Sequence, residues 1–395
     1  MIKRKKLLAL LICTAILCTA IITAGCSSQQ TTGDAKSGDT INIGAVLDIS
    51  GPSSSLGIPE RDTLEMLAAQ LNEQGGIDGR KIKLIVLDNK SDETESVLAV
   101  KKLIDTEKVV AIIGSSASGT SLAMVDSVQK AGVPLISLAT NSKIVEPVAD
   151  RKWVFKMAQS DLLVANNMID YAKSRGAQKL ALLYMNNAYG DGGKNALIKA
   201  AADKGLTIVS EDKFEATDKE MSAQLAKIKN SDAQAVLVWA IPPSASIVTR
   251  NYGELQLTIP MIHSHGIANQ NFLDLAGPAA EGIELPVGKI VVAGQLPDSD
   301  PQKQALVSYT RDFTAKFNTP PSTFGGHAWD AFYMLVNAIK ESGADRAKIR
   351  DSLENTKNFV GISGVFNMSA QDHNGLDESC MVMVGVKDGK WVLLK

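Results

Sequence analysis

The sequence has few cysteine and histidine residues, which limits the chemistry that it can support. Only 4 of its 395 residues are cysteines and 4 are histidines, and aromatic residues make up 5% of the chain. Cys13 and Cys18 lie in an N-terminal apolar run that we expect to be removed, which leaves Cys26 and Cys380. We therefore expect no intrachain disulfide, and we predict that Cys380 is a buried thiol within a strand.

The histidines do not come with a set of further metal ligands. His263 and His265 alternate at the end of a predicted strand, so that both rings would lie on one side of it. No cysteine, aspartate or glutamate at suitable spacing completes a ligand set. We therefore expect no metal, and no other cofactor either.

The chain also lacks an excess of positive charge. Its net charge is −2, and removal of the first 25 residues would lower it to −6, because that segment holds four basic residues and no acidic ones. A partner made of nucleic acid would call for a basic patch, so we expect none. The hydrophobic content of 45% and the length of the chain are typical of a globular protein with two domains.

The apolar run at the N-terminus is short for a membrane span. It covers residues 7–22, follows the basic stretch MIKRKK, and leads to Ala24-Gly25 before Cys26. This arrangement resembles a bacterial lipobox, although Thr23 stands where leucine is usual. We predict a lipoprotein signal peptide over residues 1–25, lipidation of Cys26 and a flexible tether over residues 26–40, with the protein anchored at the cell envelope and facing the periplasm or the exterior. The alternative is a plain signal peptide cleaved nearby.

From residue 41 onward, short apolar strands alternate with amphipathic helices. One series covers residues 41–138, and a second begins after residue 157. This alternation predicts parallel strands joined by right-handed crossovers, hence an α/β fold with two lobes. The C-terminal part does not continue this alternation of strands and helices. There we predict a small antiparallel set of strands, formed by residues 359–366, 381–386 and 391–394.

The stretch VVAIIGSSASGTSLAM, residues 109–124, combines a buried strand, a small polar loop and the start of a helix. Such a turn leaves backbone N–H groups at the N-terminus of the helix, where the helix dipole favours an anion. Hydroxyl groups such as those of Ser116 and Ser118 add uncharged donors. We interpret the loop as a site for the carboxylate of a small organic solute, and the alternative is an ordinary strand-to-helix turn with serine as its cap.

The loops at the predicted carboxyl ends of the strands contain mainly Ser, Thr, Asn, Gly and Tyr. Ligands of open α/β sheets bind at these ends. No nucleophile, base and orienting group line up there, and the loop GSSASGT lacks the lysine and the spacing of a phosphate-binding loop. The pattern is therefore typical of a binding cleft, and we do not expect an enzyme.

Taken together, several stretches resemble the leucine/isoleucine/valine-binding class of periplasmic solute-binding proteins, which serve ABC importers. They are IGAVLDISGPSSSLG, LNEQGGIDGRKIKLIVLD, VVAIIGSSASGTS, VPLISLAT, YGDGG, AAEGI and FGGHAWDA. The resemblance implies two Rossmann-like lobes joined by a three-crossing hinge, and we expect residues 41–157 plus 286–358 in the N-terminal lobe and residues 158–285 plus 359–395 in the C-terminal lobe. It also implies a monomer that works with an ABC permease and its ATPase subunits.

The resemblance further implies roles for individual residues. Ser118 is similar to the family's serine that binds the ligand carboxylate, and Tyr189 to a tyrosine on the opposing lobe. The remaining candidates for ligand contact are Ala139, Thr140, Asn141, Ile241 and Phe324, with Leu56 at a position where other members have an aromatic residue.

His265 is the main departure from the family pattern. Amino-acid-binding members have a glutamate at this position, which receives the ligand ammonium group. A neutral histidine can accept one hydrogen bond, whereas a protonated one would repel the ammonium. Either another acceptor such as Asp191 or Asn141 replaces the glutamate, or the ligand has no ammonium. We rank a branched-chain or related amino acid first, an aromatic or other carboxylate second, and keep a ligand-sensing receptor component as a further alternative.

Overall fold

The computed structural model describes residues 40–394, and the first lobe is built on a five-stranded parallel sheet. The predicted signal peptide, Cys26 and nearly all of the predicted tether lie outside the described residues. The strand order is β2-β1-β3-β4-β5, and β1 and β3 are buried almost throughout because they lie inside the sheet. The strands are β1 (Ile41–Leu47), β2 (Ile82–Asp88), β3 (Ala111–Gly114), β4 (Leu135–Ser137) and β5 (Val154–Lys156).

Helices of the first lobe connect these strands as the alternating pattern predicts. They are α1 (Ser54–Glu73), α2 (Glu93–Asp105) and α3 (Ser118–Ala131). Helix α3 ends where it does because Gly132 adopts a left-handed conformation with φ of 60°, from which its N–H bonds to the Val128 carbonyl oxygen. The turn then leads directly into β4.

The second lobe contains a seven-stranded mixed sheet in the order β14-β13-β10-β9-β8-β6-β7. Strands β6 to β10 run parallel, and β13 and β14 run antiparallel at one edge. The strands are β6 (Lys179–Met185), β7 (Thr207–Phe214), β8 (Ala235–Trp239), β9 (Met261–His263), β10 (Glu284–Gly288), β13 (Met381–Lys387) and β14 (Lys390–Leu393). Its helices are α4 (Asp161–Ser174), α5 (Ala188–Asp203), α6 (Ser222–Lys229), α7 (Ser244–Glu254) and α8 (Gln270–Ala276).

The chain passes between the lobes three times. It enters the second lobe after β5, returns after β10 and the 3-10 segment Lys289–Gln295, and re-enters the second sheet at β13. Between the last two passages lie α9 (Lys303–Phe317), α10 (Thr323–Ser342) and α11 (Arg346–Glu354), followed by the hairpin strands β11 (Phe359–Val360) and β12 (Val365–Phe366). Helix α10 packs on α1, which places it with the first lobe.

Buried polar side chains tie the three passages together. The Lys156 ammonium donates to the Ala158 carbonyl oxygen (2.9 Å) and to Asn374 Oδ1 (3.1 Å). Gln302 Nε2 donates to the carbonyl oxygens of Gly361 and Ile362 at 2.9 and 3.0 Å. Burial lowers the pKa of Lys156 to about 8. The Lys156 contacts therefore link the first passage to the third, and the Gln302 contacts link the segment after the second passage to the segment before the third.

The C-terminal strands differ from the sequence-based prediction. Residues 359–366 do not join the strands that follow, because β11 and β12 pair only with each other. Strands β13 and β14 instead extend the second sheet through β10. The predicted boundary at residue 286 falls inside β10, which pairs with β13 along its whole length, and the other predicted lobe boundaries stay predictions. Cys380 is buried and free but lies just before β13, and burial raises the pKa of its thiol to about 12.

Candidate functional site

The loop between β3 and α3 presents backbone N–H groups at the open end of a helix. Ala117 holds the N-cap position, and its side chain cannot cap the helix. The first backbone hydrogen bond runs from the Ser121 N–H to the Ala117 carbonyl oxygen (3.0 Å), so Ser118, Gly119 and Thr120 have no N–H partner within the helix. With the positive end of the helix dipole, these three groups are suited to an anion.

Part of the same loop is already occupied by a carboxylate of the protein. Asp48, at the end of β1, is fully buried and accepts from the N–H groups of Ser116 (3.1 Å) and Ala117 (3.3 Å). The hydroxyl groups of Ser115 (2.5 Å) and Thr120 (3.2 Å) donate to it as well. Asp48 therefore holds the loop by hydrogen bonds from the protein interior and leaves only the first turn of α3 free for a ligand.

The two loop serines that the sequence singled out differ in their surroundings. Ser116 Oγ accepts from the Asp48 N–H (3.1 Å) and donates to the buried Glu60, whose pKa burial raises well above its usual value. Its hydroxyl therefore already accepts one hydrogen bond and donates another within the protein. Ser118 Oγ accepts only a long bond from the Asn141 N–H (3.4 Å), so its proton remains available to a ligand oxygen.

Aromatic side chains of the second lobe form the opposing wall. Tyr189, at the start of α5, has its hydroxyl 3.0 Å from Ser264 Oγ. Its ring centroid lies 5.6 Å from that of Trp239 and 6.2 Å from that of His265. Gly193 permits this packing, because a Cβ there would come within 2.0 Å of the Trp239 ring. The sequence YGDGG thus provides both the tyrosine and the space behind it.

His265 connects the two lobes and is electrically neutral. Its Nε2 lies 3.0 Å from Thr140 Oγ1 of the first lobe. Burial lowers its pKa to about 3, and the same holds for His327, whose Nδ1 lies 2.7 Å from Ser363 Oγ. Within the described chain, His265 Nδ1 is buried without a hydrogen-bond partner.

Residues of both lobes enclose a cavity of about 150 Å³. Seven of the nine predicted ligand contacts line it: Ser116, Ser118, Thr140, Tyr189, Ile241, His265 and Phe324. Leu56 lines it too, and the sequence reasoning missed Leu138 and His327. His327 lies one helical turn beyond Phe324 on α10, so the i, i+3 spacing was a signal that could have found it. Ligand contact by these residues stays a prediction.

The structure places the other two predicted contacts outside this cavity. The Ala139 N–H donates to Ser137 Oγ (3.2 Å) in the turn after β4. Asn141 Nδ2 donates to the Ala188 carbonyl oxygen of the second lobe (2.7 Å), and its Oδ1 accepts from the Lys143 N–H (2.9 Å). Asn141 therefore joins the lobes, and because it does not line the cavity, its amide oxygen is not placed to replace a glutamate as the acceptor for an ammonium group.

The interior of the cavity has no carboxylate among residues 40–394. Within the described chain, the one acidic residue on its lining is Glu93, which is exposed and lies beside Gly119. Asp191, the other acceptor considered from the sequence, is exposed and does not line the cavity. A ligand inside meets hydroxyl groups, neutral imidazoles, the N-terminus of α3 and apolar side chains.

The two alternating histidines do not act together. His263 is buried at the end of β9, with its Nε2 3.2 Å from Thr249 Oγ1, and it does not line the cavity. Across residues 40–394 no three Cys, His, Asp or Glu side chains come together as a metal would require. In the same part of the chain, no helix has the length and apolar character needed to cross a membrane.

Two α/β lobes that share a hinge and enclose a polar-lined cavity define the class of two-lobed solute-binding proteins. The model of the periplasmic binding protein family matches residues 40–390, and the chain belongs to this family. The family binds solutes and is not enzymatic. The fold is that of a type I periplasmic binding protein, and the resemblance to the leucine/isoleucine/valine-binding class is confirmed.

Three relatives illustrate the range of similar proteins. The leucine-, isoleucine-, valine-, threonine- and alanine-binding protein of Pseudomonas aeruginosa is 24% identical over 80% of this chain and 82% of its own length. An extracellular ligand-binding receptor of Rhodopseudomonas palustris HaA2 is 28% identical, with a TM-score of 0.85 over 90% of this chain and all of that one. The branched-chain amino acid transporter substrate-binding protein LivJ of Streptococcus pneumoniae, solved with isoleucine, is 26% identical, with a TM-score of 0.79 over 89% of this chain and 98% of that one.

Proposed function

We propose that this protein captures a small organic carboxylate between its lobes and delivers it to an ABC importer. The observation that carries the proposal is the free first turn of α3, with Ser118 beside it, facing Tyr189 and His265 across the cavity. The N–H groups and the Ser118 hydroxyl donate to the carboxylate, and the second lobe closes over the rest of the solute. Closure excludes water, which strengthens these contacts, and favours the closed population that a permease recognises.

The geometry favours a carboxylate that carries no ammonium group. This reverses the ranking of ligand classes that we drew from the sequence, in which amino acids came first. No carboxylate of residues 40–394 lies in the cavity interior, and His265 is neutral. An ammonium that finds no charged partner forgoes a charge-assisted hydrogen bond of about 1.5–3 kcal/mol. The apolar side chains of Leu56, Leu138 and Phe324 provide the surface for an aromatic or aliphatic body.

A branched-chain amino acid is the second candidate. Two similar proteins bind such amino acids according to their names, and the anion site of this chain fits the carboxylate of either ligand class. The ammonium would then rely on neutral acceptors such as the hydroxyl oxygens of Thr140 and Tyr189, or on Glu93 at the mouth.

We further propose that Cys26 carries a lipid anchor and that the protein works as a monomer with a permease and its ATPase subunits. The sequence of residues 1–26 supports the anchor. The family match supports the transport role. Labelling of expressing cells with a clickable palmitate should mark the wild type and not a Cys26→Ala variant. Equal labelling of the two proteins would refute the anchor at this residue.

The test of the ligand class is calorimetric titration of the chain from Ser27 onward with leucine and with 4-hydroxybenzoate at pH 7. We expect micromolar or tighter binding of 4-hydroxybenzoate and weak or no binding of leucine. Tight leucine binding with no 4-hydroxybenzoate binding would mean that a neutral acceptor receives the ammonium. Absence of binding by both would refute the proposed ligand classes.

A further inference from the structure

A second and larger opening lies next to the cavity. It has a volume of about 500 Å³ and is lined by residues of both lobes. We call it the outer cleft and define it by Ile58, Asp62, Pro242, Asn269, Leu275 and Phe313. Four chain segments each provide lining residues to the cavity and to the outer cleft, namely residues 52–59, 241–243, 265–271 and 322–324. The two spaces therefore share their walls.

The outer cleft has apolar walls that contain no cation. Ile58 of α1 and Leu275 of α8 are 40% and 39% exposed, and they are among the few large hydrophobic side chains exposed in residues 40–394. They come from opposite lobes and line the same cleft. No lysine, arginine or histidine of the described chain lines it, and its one carboxylate, Asp62, lies 2.6 Å from the Arg61 guanidinium. The cleft therefore suits an uncharged group.

Two buried side-chain donors in the walls lack acceptors within residues 40–394. Asn269 is only 5% exposed, and its Oδ1 caps α8 by accepting from the Phe272 N–H (2.8 Å), but its Nδ2 has no partner. Ser55 Oγ, on the opposite lobe, has no partner either. Unpaired buried polar atoms are costly, and each of these donors would gain a hydrogen bond from a ligand oxygen that reached it.

We infer that the outer cleft binds the far end of an elongated solute whose carboxylate lies in the cavity. The solute has an apolar middle in contact with Leu56, Ile241 and Phe324, which line the cavity in three of the shared segments. Its far end is uncharged and carries a carbonyl oxygen as a hydrogen-bond acceptor. This inference rests on the proposed function, because the anion site of the cavity fixes the carboxylate end.

The experiment compares short and long ligands that share a head group. Benzoate is paired with 4-acetamidobenzoate, and leucine is paired with N6-acetyllysine, so that either ligand class can be tested. We expect the long member of the active pair to bind at least tenfold more tightly than the short one. Leu275→Asn should weaken binding of the long member about fivefold and leave the short member within twofold, because it removes apolar contact in the cleft only.

Leu98→Asn is the matched control, since Leu98 is a 55% exposed leucine on α2 outside the cleft. It should change neither affinity, and thermal unfolding should show that both variants fold. Equal affinity for the short and long members, or an equal effect of Leu275→Asn on both, would overturn the inference while the proposed function stands. If neither the short nor the long member of either pair binds, the proposed function has failed and the inference fails with it.

Discussion

The substitution His265→Glu should change the class of ligand that the protein binds. His265 is 3% exposed, contacts Thr140, and faces the rings of Tyr189 and Trp239 at centroid distances of 6.2 and 6.3 Å. A glutamate would place a carboxylate on the wall of a cavity whose interior has none. Burial would raise the pKa of that carboxyl unless a ligand ammonium compensates its charge.

The expected magnitudes are opposite for the two ligand classes. A charge-assisted hydrogen bond of about 1.5–3 kcal/mol should tighten leucine binding roughly 10- to 150-fold. Two carboxylates roughly 6 Å apart repel each other by about 3 kcal/mol at an effective dielectric constant near 20. Because the buried glutamate can take up a proton instead, this is the upper bound, and 4-hydroxybenzoate should bind up to about a hundredfold more weakly.

Calorimetric titration of both ligands at pH 7 measures the two effects directly. His265→Gln is the control, because it replaces the imidazole with an uncharged group that can still bond to Thr140. The reasoning is refuted if the glutamate and glutamine variants show the same affinity for leucine. It is also refuted if the glutamate variant keeps the wild-type affinity for 4-hydroxybenzoate.

Three further predictions concern the anion loop and the buried histidines. Ser118→Ala should weaken ligand binding about tenfold through loss of one hydrogen bond to a charged group, whereas Ser342→Ala, far from the cavity, should leave the calorimetric affinity unchanged. Asp48→Asn should lower the free energy of unfolding in urea by about 2–4 kcal/mol, because several donors converge on that carboxylate; a loss below 1 kcal/mol would contradict its structural role. Burial lowers the pKa of His263, His265 and His327 from 6.5 to about 3, so the folded state binds fewer protons between these values. These three side chains should therefore contribute a fall of about 3 kcal/mol in unfolding free energy from pH 6.5 to 5.5, which the raised pKa values of Asp330 (about 7) and Asp161 (about 6) partly offset. His327→Gln should reduce the fall measured by urea unfolding at the two pH values by about 1 kcal/mol.

Strand-and-helix alternation was sufficient to predict the two lobes and most of their elements. Buried parallel strands such as β3 and β8 are continuous apolar runs, and the helices between the strands repeat at 3.6 residues. The C-terminal strands were harder, because their partner β10 lies almost a hundred residues earlier in the chain. A short apolar run gives no information about which distant sheet edge it will extend.

The candidate site was predictable to the level of segments but not of single side chains. In the turn SLATN, the sequence could not distinguish Thr140, which lines the cavity, from Asn141, which bonds to the other lobe. Both are small polar residues in the same loop. Their roles depend on the position of Ala188 in the other lobe, a tertiary contact that no local pattern encodes.

Asp48 shows why an anion-binding loop cannot be assigned from its own residues alone. The loop GSSASGT has enough donors for two carboxylates, and the structure assigns one set to Asp48 and leaves the other at the first turn of α3. Because Asp48 is fixed by β1, it holds the loop in one conformation before any ligand arrives. A preorganised loop loses little conformational entropy on binding, so the free N–H groups can hold a ligand carboxylate without a cationic side chain in the cavity. The same argument explains why a neutral His265 on the opposing wall is compatible with an anionic ligand. A carboxylate at the position of His265 would repel such a ligand and so select against it.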